Sequence, residues 1–185
     1  LSMLAPDASL SLVLSVLFHD IGKPATRVVD ETGRIRFNGH EGVSAEMTLR
    51  LLQRLRFSNE VIDAVIPAVR LHMSFKDVPN MRIATLKRMM ARPTFEEELE
   101  LHRVDCLASH GMLDNHATLL TKREEFGREP LIPEPLVTGH DLIALGWKPG
   151  KKFADVLQSV QTRQLEGTLT SHEEALAWIA AEHSS

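Results

Sequence analysis

The chain has 185 residues, 43% hydrophobic and 25% charged, with a formal net charge of -4. That is room for one domain with a real core, or one domain plus a small appendage, in an ordinary globular protein. The balance argues against a generally basic nucleic-acid binder, and the single cysteine, Cys106, excludes an internal disulfide and fits a reducing compartment.

The first apolar run, residues 8–18, is too short to span a bilayer and lacks the basic flank of a signal peptide. A cytoplasmic location with no membrane partner is expected. The chain opens on Leu1 straight into helical pattern, which reads as the interior of a longer protein. Pro6-Asp7 predicts a helix start with Asp7 as N-cap, and the helix runs through Leu10, Leu12, Val13, Leu14 and Leu17 to His19. It is apolar nearly all round, so burial is expected. There the chain reads His19-Asp20-Ile21-Gly22-Lys23-Pro24. An imidazole and a carboxylate together suit divalent metals. Adjacent helical residues point about 100° apart, so both reach one ion only at a helix end or a distorted turn. Gly22, as a left-handed cap, and Pro24 supply that end. Lys23 follows as a point charge suited to phosphate.

Residues 26–37 place two short runs around Asp30-Glu31-Thr32-Gly33, which predicts a small hairpin. Helical pattern returns at His40, with Val43, Met47, Leu51 and Leu55 expected on one face. Ser58 or Asn59 caps the next helix, which carries Val61, Val65, Val69 and His72, and Pro67 predicts a kink or break in it. A loop is expected over 75–80 and a short basic helix over 81–91. Thr94-Phe95-Glu96-Glu97 reads as a capping box opening a long helix through Leu99, Leu101, Val104, Asp105 and Leu107. A further helix is expected to about Phe126. Residues 127–135 carry three prolines and read as a linker. Beyond it Gly139-His140-Asp141-Leu142 opens one short helix, Phe153, Val156, Leu157 and Val160 mark another, and the capping box Ser171-His172-Glu173-Glu174 starts the last.

Four separated places offer metal ligands: His19-Asp20, His40, His72 and Asp105. His40 follows Gly39 at a helix start, His72 ends an apolar helix, and Asp105 sits among apolar residues where a charge partner is expected. His102, His110, His116, His140, His172 and His183 read as surface or packing residues, and the methionines as core filler. Lys148, Lys151 and Lys152 form a basic cluster that reads as an RNA-backbone contact or a solvated face.

The order His19-Asp20-Ile-Gly-Lys, Gly39-His40-Glu41, Leu71-His72 and Arg103-Val104-Asp105 resembles the HD domain of bacterial tRNA nucleotidyltransferases and poly(A) polymerase-like proteins. Leu136-Val137-Thr138-Gly139-His140-Asp141-Leu142 and Gln164-Leu165-Glu166-Gly167 are similar to the segment that follows that domain. The resemblance implies an all-α HD-domain bundle over 1–126 with one small β-hairpin insertion, a linker over 127–135 and a small helical unit over 136–185. It implies a divalent metal (Mn, Ni, Mg, Co, Fe or Zn) held by His19, Asp20, His40, His72 and Asp105. It implies phosphohydrolase activity on nucleotide or RNA-end phosphoesters, with tRNA as a possible partner. Asp20 and Asp105 would orient or deprotonate the nucleophile, and Lys23 and Arg103 would carry phosphate charge. Such domains usually add one His from a preceding helix, and residues 1–18 contain none. The Gly-rich loop and paired acidic ligands of a nucleotidyl-transfer head are not in this sequence. The alternative is a non-catalytic RNA-positioning or scaffold module.

Overall fold

The structure, a computed structural model, describes residues 1–127 and 130–183. Residues 128 and 129 of the expected linker lie outside the described residues, as do residues 184 and 185 of the expected tail and the His183 side chain. In chain order the elements are α1 (Leu10–Phe18), β1 (Val28–Val29), β2 (Ile35–Arg36), α2 (His40–Arg54), α3 (Asn59–Leu71) and α4 (Ile83–Met90). They continue with α5 (Phe95–Ser109), α6 (Asp114–Phe126), α7 (Gly139–Ala144), α8 (Lys151–Leu165) and α9 (His172–His183). The fold is all-α: the strands among the described residues form one antiparallel hairpin pairing Val28 with Arg36 and Val29 with Ile35. No described helix is long and apolar enough to cross a membrane.

Two compact units make up the chain: Leu1–Asn80 with Arg92–Glu125, and Met81–Ala91 with the segment from Phe126 onward. In the first, α1 packs on α3 and α5, and α2 packs on α3. Its core gathers Leu14, Ala45, Leu52, Ile62, Val65 and Val69, with a second cluster of Leu12, Ala68 and Leu101. The second unit has its own core of Val137, Leu142, Val156, Val160, Leu169, Ala175 and Ile179. The basic helix α4, left by the sequence reading with the preceding part of the chain, packs on α8 instead. Arg88 of α4 donates to Gln161 Oε1 at 3.3 Å and Thr162 Oγ1 at 2.8 Å.

Several local expectations change. Ser9 rather than Asp7 caps α1, accepting from the Leu12 N–H at 3.1 Å. α1 is only partly buried, since Leu10 and Leu17 are exposed. α3 runs through Pro67 without a break, and residues 72–80 form a 3-10 helix (His72–Asn80) rather than a loop. Thr94 does not close a capping box; its hydroxyl donates to Glu98 Oε1 at 2.6 Å. Gly22 has no positive φ, and its role is different, as shown below. On α2 the buried face is Ala45, Ser44, Thr48 and Leu52, whereas Met47 and Leu55 are exposed. Met112 is likewise exposed rather than core filler, while Met89 and Met90 are buried.

Candidate metal centre

Each ligand candidate is delivered by a helix end or an inner helix face. His19 is the C-cap of α1, and Asp20 follows it. His40 is the first residue of α2, after Gly39 at φ +76°. His72 is the C-cap of α3, and Asp105 lies on α5. Gly22 seats the loop between α1 and the hairpin on α2. Its N–H donates to Ser44 Oγ at 2.9 Å, and a Cβ there would lie 2.6 Å from the His40 carbonyl oxygen and 2.7 Å from the Ser44 nitrogen. Only a residue with no side chain permits that approach, and the approach places Asp20 beside His40.

The three histidines repeat one device. Their Nδ1 atoms sit 2.9, 2.8 and 2.6 Å from the carbonyl oxygens of Val16, Phe37 and Val69, each three residues upstream. A carbonyl only accepts, so each Nδ1 carries a proton, and Nε2 is the atom each ring would offer to an ion in its neutral form. All three Nε2 atoms point to Asp20. His40 Nε2 and His72 Nε2 lie 3.2 and 3.9 Å from Asp20 Oδ1, and His19 Nε2 lies 3.3 Å from Asp20 Oδ2. His19 Nε2 is also 3.4 Å from Asp105 Oδ1, and His40 Nε2 is 3.1 Å from His72 Nε2.

These atoms fit a cation. The two bare nitrogens of His40 and His72 face each other with lone pairs, which is repulsive unless a positive charge lies between them. His19 Nε2 and Asp20 Oδ1 are buried and make no aligned hydrogen bond, a costly state for polar atoms without another partner. Two donors on one first-row ion at about 2.1 Å are separated by about 3.0–3.4 Å for right-angled to tetrahedral arrangements. The donor atoms form two overlapping trios sharing Asp20, namely Asp20–His40–His72 and His19–Asp20–Asp105, each within 4.8 Å.

Without an ion the charges settle locally. Burial opposes a charge on His19, but the Asp105 and Asp20 carboxylates outweigh it and raise its pKa from 6.5 to about 10. Burial also works against the Asp20 carboxylate, yet His19 and Lys23 hold it well below the usual range. His19 does the same for Asp105. Burial lowers His72, keeping its imidazole neutral.

Lys23 sits at the edge of the cluster, its Nζ 2.6 Å from Asp20 Oδ2 and 5.8 Å from the centre of the Phe37 ring. Arg103 is not brought there: its guanidinium bonds Glu100 at 2.6 and 2.7 Å and the Met3 carbonyl at 3.4 Å. Two residues before Asp105 on the same helix, it points to another side. Lys148, Lys151 and Lys152 line a pocket of about 380 Å³ in the second unit with Trp147 and Phe153. Lys152 Nζ lies 5.2 Å from the Trp147 ring centre. The sequence reading misses Ser44, Arg34, Met73 and Lys76, the last three lining the cleft next to Asp105. Ser44 stands one turn after His40, a spacing that marks it only once His40 is known to face the site.

A helical unit closing three imidazoles and two carboxylates from separate helices defines a class, the HD type. A family model described as HD domain matches residues 2–109, and the chain belongs to that family. It is 37% identical over 177 residues to the CC-adding tRNA nucleotidyltransferase of Thermus thermophilus, covering 94% of this chain and 40% of that protein. It is 30% identical over 186 residues to the A-adding tRNA nucleotidyltransferase of Deinococcus radiodurans, covering 94% and 42%. A Multifunctional CCA protein of Burkholderia pseudomallei is 32% identical over 111 residues, 56% of this chain and 26% of that protein. The chain is thus an HD-domain protein related to tRNA nucleotidyltransferases, and spans about two fifths of the length of the first two relatives. No solved structure matches it.

Proposed function

We propose that this chain is a divalent-metal-dependent phosphohydrolase module acting on nucleotide or RNA-end phosphoesters. The histidine arrangement supports this reading most: three rings spend Nδ1 on the backbone and offer Nε2 around Asp20. His19, Asp20, His40, His72 and Asp105 would hold the ion. The donor set suits Mn, Fe, Co, Ni or Zn, and Mg less well. When bound, such an ion supplies Lewis-acid polarisation of a phosphoryl oxygen and lowers the pKa of water. Asp20 or Asp105, the latter at the cleft wall, would orient the attacking water or take its proton. Lys23 balances charge on the phosphoryl oxygens. Arg103, committed to Glu100, has no part in this scheme.

A second reading is a non-catalytic RNA-positioning module. One observation favours it: the two relatives matched over 94% of the chain are tRNA nucleotidyltransferases. On that reading tRNA is the partner, with Lys148, Lys151 and Lys152 beside Trp147 as the contact surface.

Elemental analysis of the purified chain, followed by hydrolysis of a 2′,3′-cyclic nucleotide with added Mn or Ni, separates the readings. The expected result is bound metal and turnover, with Asp20→Ala lowering turnover at least about a hundredfold. Lys23→Ala slows turnover without abolishing it. Bound metal with no hydrolysis of any phosphoester tested leaves the second reading.

A further inference from the structure

Two cations on the first unit have no counter-charge among the described residues and line the same cleft as His40 and Asp105. The cleft encloses about 540 Å³, within the range of small-ligand sites, and its lining includes Lys23, Arg34, Phe37, Met73, Lys76 and Asp105. Neighbouring cations are already matched. Lys23 Nζ is 2.6 Å from Asp20 Oδ2, and Arg36 Nε is 3.0 Å from Asp30 Oδ2. Asp30 is saturated: it also accepts from the Thr32 N–H and hydroxyl and from the Arg34 N–H, at 3.0, 2.6 and 3.0 Å. It therefore fixes the hairpin turn, and no described residue pairs with the Arg34 guanidinium. Lys76 lies on the 3-10 helix, where its carbonyl accepts from Asn115 Nδ2 at 3.5 Å, and no described residue pairs with its ammonium. Both side chains are exposed.

We infer that Arg34 and Lys76 hold a second phosphoryl group of the substrate, while the first lies on the Lys23 and His40 part of the same cleft lining. The inference rests on the phosphohydrolase reading and narrows it. The substrate class is a nucleotide carrying two phosphates, as the end of an oligonucleotide does, in preference to a simple mononucleotide. A guanidinium presents a planar pair of donors to phosphate oxygens and an ammonium adds a point charge. Phe37 and Met73, on the same cleft lining, offer apolar surface to the ribose or base.

The test is isothermal titration of the chelator-treated chain with adenosine 3′,5′-bisphosphate, against the 3′- and 5′-monophosphates separately. The bisphosphate is expected to bind about tenfold tighter than either, the size of one charge-assisted hydrogen bond. In the doubly substituted Arg34→Ala, Lys76→Ala chain that preference disappears. Both side chains are exposed, so folding is retained, and a thermal melt checks it. Arg50→Ala with Arg54→Ala removes the same charge from outside the cleft and keeps the preference. Equal affinity for the three ligands in the unsubstituted chain overturns the inference. So does a preference that survives in the Arg34/Lys76 variant, or one lost equally in the Arg50/Arg54 variant. Because binding is read without metal, the outcome is separable from the phosphohydrolase reading. A preference without turnover in the metal-loaded chain keeps the two-phosphate site and removes the hydrolase. Turnover without a preference does the reverse.

Discussion

At the scale of single residues, Gly22 shows how the site is assembled. A side chain there collides with backbone atoms of His40 and Ser44 at 2.6 and 2.7 Å, and backbone at a helix start has little room to yield. Gly22→Ala is therefore expected to cost about 1–3 kcal/mol of stability, the usual range for overpacking, and to weaken manganese binding by moving α2 away from Asp20. Urea unfolding and metal titration of the variant measure the two effects. In the sequence Gly22 reads as a helix cap. The contact that explains it spans 22 residues of chain separation, and no local pattern encodes that. His19 gives a pH prediction. In the metal-free chain its pKa is raised from 6.5 to about 10 by Asp105 and Asp20 against the effect of burial. A raised histidine contributes stability that is fully present below its unfolded pKa and lost as pH rises through the folded one. The urea midpoint of chelator-treated protein should therefore fall between about pH 6.5 and about pH 10. A flat midpoint across that window contradicts the charged His19 bridge between the two carboxylates.

At the scale of elements, α5 carries Asp105 and is itself held by a buried ion pair. Glu98 is fully buried, and Arg92 reaches both of its carboxylate oxygens, with Thr94 as a third donor. Removing one partner of a buried pair strands the other charge. Arg92→Ala is expected to cost about 3–5 kcal/mol, read as a lower chemical-denaturation midpoint. Replacing Glu98 by Gln in that background should recover part of the loss. A near-neutral Arg92→Ala would mean that Thr94 alone satisfies Glu98. This arrangement hides in the sequence as a capping box one residue out of place, because Thr94 and Glu97 match the motif while Glu98 does the bonding. The buried face of α2 is hidden for a related reason. Val43, Met47, Leu51 and Leu55 make a clean apolar spacing, yet the helix buries Ala45, Ser44 and Thr48 at 0% exposure. Close packing on α3 selects small residues, and a search for large apolar ones passes over them. The meeting of the candidate residues is more legible. His19-Asp20, His40, His72 and Asp105 stand at helix boundaries or among apolar neighbours, so their convergence follows from how helix ends meet in a bundle.

At the scale of the whole molecule, the two units carry separate cores, and the helix boundaries of both were largely readable from capping residues and prolines. What was not readable is that α4 belongs with α8, because the contacts span 73 and 74 residues of chain and the link is a polar one through Arg88. The separation of cores gives a test. Leu142 is fully buried among Val137, Val156, Val160 and Ile179, all within the second unit. Leu142→Ala leaves a cavity and is expected to cost that unit about 2–5 kcal/mol. The candidate metal-site residues all belong to the first unit, so manganese affinity should not change. Segment-resolved hydrogen exchange should show faster exchange in α7, α8 and α9 with α1, α3 and α5 unaffected. The same experiment reads α4: if it belongs to the second unit's cooperative structure, its amides accelerate with those of α8. Faster exchange in α1 and α3, together with weaker manganese binding, would mean that the first unit depends on the second for its own stability.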